Sequence, residues 1–120
     1  MKLISILILT MAFWVVGDTP VISWKTDTIH DFGDLLQGEP QSFVFEFKNI
    51  SEQPIIIESV RSTCGCTAPD WDNTPIEADS IGQLTVTYDA KKSGYFNKKV
   101  KVYFSGQRKA EKIYIEGFVE

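Results

Sequence analysis

A chain of 120 residues with a formal net charge of −4 at pH 7 has room for one ordinary domain, and its mild acidity gives no attraction for the phosphates of nucleic acid. With 1 histidine and 2 cysteines it carries neither the ligands of a multi-histidine zinc centre nor a dense disulfide framework. The first 17 residues differ from the rest. Lys2 is followed by an apolar run from Leu3 to Val16, 14 residues long, and then by Gly17. A positive start, an apolar stretch of this length and a small residue after it predict a signal peptide over residues 1–17. The run is shorter than the roughly 18–20 residues that a membrane-spanning helix needs, so no stable span is expected once the signal is removed. The rest, residues 18–120, is predicted to be one exported domain. No cysteine lies at the cleavage region to take a lipid.

Within that domain, apolar residues recur at every second position. Val21 to Trp24 and Thr28 to Phe32 are the first two predicted strands. Phe43, Phe45 and Phe47 alternate with Val44, Glu46 and Lys48, which puts the three rings on one buried face and Glu46 and Lys48 toward solvent. Ile55 and Ile57 mark the next strand, then Leu84, Val86 and Tyr88, then Val100, Val102 and Phe104, and finally Ile113 and Ile115. Reversals are expected at Gly38-Glu39-Pro40, Asn49 to Pro54, Asp72 to Pro75, Asp89 to Gly94 and Ser105-Gly106-Gln107. No segment carries a helical apolar stripe. The predicted fold is therefore all-β, an immunoglobulin-like antiparallel β-sandwich of about seven strands.

Several motifs invite a chemical reading, and most have a plainer one. Asp31-Phe32-Gly33 spells a kinase magnesium tripeptide, but the chain is far too short for a kinase; Phe32 reads as core and Gly33 as a turn. His30 lacks the partners of a triad or metal site and is expected at the surface of an early strand. Asp70, Asp72, Asn73 and Asp79 lack the ordered spacing of a calcium loop and read as solvated turns. Asn49-Ile50-Ser51 reads as a turn in which the asparagine side chain bonds nearby backbone. Lys91, Lys92, Lys98, Lys99 and Lys101 form a basic stretch whose lysines suit the outward face of a strand, where they would discourage edge-to-edge pairing; an anionic partner is the other use for them.

Cys64-Gly65-Cys66 is the unusual chemistry. Residues i and i+2 of an extended strand lie about 6.5 Å apart, near the upper limit for a disulfide, and Gly65 is expected to let the chain bend. So small a loop contributes only about 1.6 kcal/mol by chain entropy, which makes the pair a poor staple. A simple disulfide, thiol redox activity and binding of a soft metal such as Cu(I) all remain open at this point.

The order Asp31-Phe32-Gly33, Gly38-Glu39, Phe45-Glu46-Phe47-Lys48-Asn49, Pro54-Ile55, Cys64-Gly65-Cys66-Thr67, Pro75-Ile76, Gly82 and Gly94 resembles the bacterial domain-of-unknown-function family 1573. That family is similar to the immunoglobulin-like modules of cilium-associated and major-sperm-protein-type proteins. The resemblance implies an exported or envelope-associated domain without catalytic residues. This chain departs from it at Glu77-Ala78-Asp79-Ser80-Ile81-Gly82, where the family tends to have a Pro-Gly turn. The expected function is a non-enzymatic binding or structural module of the bacterial cell envelope that meets a protein partner through a sheet face or edge. No catalytic residue, cofactor or metal site is assigned. The alternative is a thiol redox or Cu(I)-handling protein acting through Cys64, Gly65 and Cys66.

Overall fold

The computed structural model describes residues 19–120, so the predicted signal peptide and its cleavage point lie outside the described residues. Eight strands follow in order: β1 (Ile22–Trp24), β2 (Ile29–Leu35), β3 (Gln41–Asn49), β4 (Ile57–Ser62), β5 (Thr67–Trp71), β6 (Ile81–Tyr88), β7 (Gly94–Phe104) and β8 (Glu111–Val119). They form two four-stranded sheets, one in the order β1-β3-β6-β5 and the other β2-β8-β7-β4.

The alternation seen in the sequence sets the inner faces. Phe45, Phe47, Leu84, Val86, Val100, Val102, Ile113 and Ile115 are all fully buried between the sheets. Trp24 closes one end of this core, with its ring edge-on to Phe45, Phe47 and Phe104 at centroid distances of 6.3, 5.7 and 6.3 Å. Its indole N–H donates to Glu111 at 3.4 Å. Phe43 is only half-buried, because it sits near the open end of β3. Glu46 and Lys48 are half-buried rather than free in solvent, since β3 is an interior strand flanked by β1 and β6. Gly82 lies directly under Phe47: a Cβ there would stand 2.6 Å from Phe47 Cε2 and 2.8 Å from Ile76 Cδ1.

Three expectations are corrected. The strand count is eight, not seven; the extra one is β5. Its sequence, Thr67-Ala68-Pro69-Asp70-Trp71, contains a proline and an aspartate that disfavour strands, but as an edge strand it pairs only with β6 and tolerates them. The sandwich is not wholly antiparallel, because β2 runs parallel to β8. No short turn joins those two strands, so nothing forces them into a hairpin; the intervening domain supplies the long crossover that a parallel pair needs. Finally, Ile55 precedes β4 and makes an isolated bridge to Ile76, with backbone hydrogen bonds of 3.0 and 2.7 Å.

The turn readings hold in detail at Asn49. This residue is fully buried, and its amide donates to the carbonyls of Gln53 at 2.8 Å and Ile76 at 2.9 Å. Its oxygen accepts from the Ser51 N–H at 2.9 Å and the Ser51 hydroxyl at 2.7 Å. Gly33, by contrast, sits in a bulge of β2 rather than a turn, with φ of +72° and its N–H bonded to the Asp31 carboxylate at 2.8 Å.

Candidate functional site

Two places on the sandwich carry side chains that the fold itself does not require. The first is the outer face of the β2-β8-β7-β4 sheet. Cross-strand register places Arg61 of β4 opposite Lys101 of β7, and Lys101 opposite Lys112 of β8. The neighbouring residues Val60, Val100 and Ile113 point into the core, so all three cations project outward in one row. Lys99 lies two residues from Lys101 on the same face, beside Tyr114. The Arg61 guanidinium also stands 5.7 Å from the centre of the Tyr103 ring. Directly opposed like charges destabilise a sheet, and none of these four cations has a carboxylate partner: among the described residues the one salt bridge is Lys48–Asp79, at 3.9 Å.

Farther along the same face the character changes. Tyr95 pairs with Phe118, and Phe118 with Asp34; Asn97 pairs with Glu116, and Glu116 with Asp31. Tyr95 and Phe118 are 68% and 47% exposed, an aromatic pair beside the shallow cleft lined by Asp31, Asp34 and Glu116. The face thus runs from cations at one end to carboxylates and exposed rings at the other.

These positions revise the reading of the basic stretch. Lys99 and Lys101 do face outward, but β7 lies between β8 and β4, so they guard no sheet edge. Lys98 has the parity of the buried residues and is half-buried on the inner face. Arg61 and Lys112 were not singled out in the sequence; only their register with Lys101 reveals them.

The second place is the corner at which the chain passes from β4 in one sheet to β5 in the other. Cys64 and Cys66 are joined there, with Cα atoms 5.3 Å apart. They are next-but-one neighbours, an arrangement unlike the usual staple between distant strands. Gly65 is exposed, its φ is outside the left-handed region, and an added Cβ would meet nothing within 4 Å. The bend therefore does not depend on glycine, contrary to the expectation from sequence. The corner is pinned by the Ser62 hydroxyl, which donates to the Cys64 carbonyl at 2.9 Å, and by the Asp89 N–H, which donates to the Cys66 carbonyl at 3.0 Å. Thr67 follows, and its hydroxyl lies 3.7 Å from Cys64 Sγ and 3.8 Å from Cys66 Sγ.

The remaining candidates are dispersed. His30 is half-buried, stacked on Phe43 at 3.6 Å and edge-on to Phe32 at 4.6 Å. Burial lowers its pKa from the ordinary 6.5, and the Asp31 carboxylate opposes that shift. Asp72 accepts from the Thr74 N–H at 2.9 Å, and Asp79 faces Lys48. Among the described residues no group of three or more His, Cys, Asp or Glu side chains is placed to hold a metal ion.

Comparison with known proteins decides the family. A family model described as a protein of unknown function, DUF1573, matches residues 22–119. The chain belongs to the DUF1573 family. No curated protein matches the sequence. Among solved structures, a protein of unknown function from Porphyromonas gingivalis W83 superimposes with a TM-score of 0.70 at 18% identity, over 91% of this chain and 51% of that one. The DUF1573 chain thus spans about half the length of that relative. A PapD-like domain of human CEP192 gives a TM-score of 0.72 at 11% identity, covering 88% of this chain and 91% of that domain. WR4, an MSP family member of Caenorhabditis elegans, gives 0.58 at 7% identity, over 85% of this chain and 100% of that one. Identities this low establish an immunoglobulin-like fold and nothing about activity.

Proposed function

We propose that this DUF1573 chain is an exported, non-enzymatic binding module of the bacterial cell envelope that holds another protein against the outer face of its β2-β8-β7-β4 sheet. The observation that carries this reading is the row Arg61, Lys101 and Lys112. An unpartnered row of like charges costs stability, yet it stands on a protein whose net charge is −4. A partner that sets carboxylates against the row offsets that cost on binding and is steered to it electrostatically. The exposed rings of Tyr95 and Phe118 on the same face supply the aromatic contact area in which protein interfaces are enriched.

The test is photo-cross-linking in the native envelope, with the reactive residue at Lys112 and, as control, at Val44, which is exposed on the other sheet. The expected result is one discrete protein adduct from position 112 whose cross-linked segment is acidic, and none from position 44. The same adducts from both positions, no adduct, self-association alone, or binding to anionic lipid vesicles in place of a protein would overturn the proposal.

A further inference from the structure

The cysteine corner carries an inference that goes beyond the binding reading and does not depend on it. We propose that Cys64–Cys66 is a thiol–disulfide exchange site for an external dithiol, with Thr67 as the residue that positions a hydrogen bond on the leaving sulfur. Three observations support it.

The bond adds little to the fold. It closes a loop of sequence separation 2, where loop-closure stabilisation is smallest, and the corner is already held by the hydrogen bonds to the Cys64 and Cys66 carbonyls. It is also accessible. Both cysteines are half-exposed, and the exposed Gly65 between them leaves open space where a side chain would screen the sulfurs.

The third observation concerns Thr67. Among the described residues, the two buried polar ones are Asn49 and Thr67. The amide of Asn49 is satisfied by backbone. The Thr67 hydroxyl, 4% exposed as a residue, has only the two sulfurs as hydrogen-bond partners among the described residues. A disulfide sulfur is a weak acceptor, whereas a thiolate is a strong one. A buried hydroxyl is therefore poorly satisfied in the oxidised state and well satisfied in the reduced state, which shifts the equilibrium toward reduction.

Cys66 packs against the core, whereas Cys64 is not among the side chains that do so, which makes Cys64 Sγ the point of attack. A thiolate of the incoming dithiol bonds to Cys64 Sγ. The Cys64–Cys66 bond breaks, and Cys66 leaves with its electron pair as a thiolate that accepts the Thr67 hydrogen bond. The second thiol of the dithiol, once deprotonated, attacks its own partner sulfur in the mixed disulfide and releases Cys64. Two electrons have then passed to this chain, the dithiol has lost its two protons to solvent and become a disulfide, and Cys64 takes a proton back from solvent while Cys66 is held as the thiolate.

The experiment equilibrates the full chain with glutathione buffers of graded ratio, quenches with acid, labels free thiols with a maleimide and counts them by intact mass. Reversible reduction of the folded chain within the glutathione range is expected. Thr67→Val should shift the equilibrium about tenfold toward the disulfide, equivalent to about 30 mV for two electrons, while Thr67→Ser stays near wild type. A pair that glutathione cannot reduce while the chain remains folded, or a Thr67→Val variant that folds and titrates as wild type, would overturn the proposal. If Thr67→Val does not fold, the pH dependence of Cys66 alkylation in the reduced wild type decides. A Cys66 thiolate persisting below the ordinary thiol pKa of about 8.5 supports the role of Thr67, and ordinary titration of both thiols refutes it.

Discussion

Replacing Lys101 with glutamate should make the domain more stable while removing its proposed partner. Lys101 stands between Arg61 and Lys112, so the substitution converts two opposed like-charge pairs into two opposite-charge pairs. Each such cross-strand pair is worth about 0.2–1 kcal/mol, and exposure of Arg61 and Lys112 to solvent keeps both near the lower end. The expected gain is about 1 kcal/mol at low ionic strength, a rise in Tm of roughly 4–8 °C for a domain of about this size. Lysine and glutamate are similarly poor strand formers, so intrinsic propensity leaves the comparison clean. Urea unfolding at about 0.01 M and about 1 M salt measures it, because the screening length falls from about 30 Å to about 3 Å between them. Stability should rise at low salt, and most of the rise should vanish at high salt, with cross-linking from position 112 lost in the same variant. A Lys101→Glu protein that is less stable, or a gain indifferent to salt, would show that the row carries no unrelieved repulsion.

Other perturbations address the fold and its titration. Phe45→Ala should cost about 3–5 kcal/mol in chemical denaturation, since the ring is fully buried between the sheets; a loss below about 1 kcal/mol would mean that the packing around β3 is misplaced. Gly82→Ala should cost about 1–3 kcal/mol, because its Cβ must displace the Phe47 ring or Ile76; thermal melts that match wild type would contradict the close approach. Burial lowers the His30 pKa below 6.5, so the unfolded chain takes up the proton first, and this residue's contribution to stability is complete above pH 6.5 and lost as pH falls through the folded value. His30→Phe, which keeps a ring on Phe43, should flatten stability between pH 8 and 5, and an unchanged slope would assign it to other groups.

The sandwich was readable because its central strands bury one face and leave the other wet. Leu84, Val86 and Tyr88, like Val100, Val102 and Phe104, alternate as period two demands. β5 escaped because an edge strand need satisfy only one neighbour, which lets Pro69 and Asp70 into it. The parallel pairing of β2 with β8 could not be read from local pattern, because alternation reports which way side chains point and not which strand lies alongside. The same limit hid the cation row. Lys99 and Lys101 show their outward parity in the sequence, but Arg61 and Lys112 join them only through register across β4, β7 and β8. Cys64 and Cys66 announced themselves by spacing. Thr67 carried no signal beyond its place next to Cys66; only the structure shows its hydroxyl buried with the two sulfurs as its hydrogen-bond partners.

The parallel β2–β8 pair bears on the order in which the molecule can be assembled. Among the described residues β2 touches only β8 within its sheet, and β8 is the last of the eight strands. The second of these strands to be made thus waits for the eighth before it has a ladder to join. Contacts of such wide separation slow folding, since nearly the whole chain must be closed into a loop before they form. Until then the β2 backbone is an open template for wrong pairing, a hazard that a holding chaperone can cover.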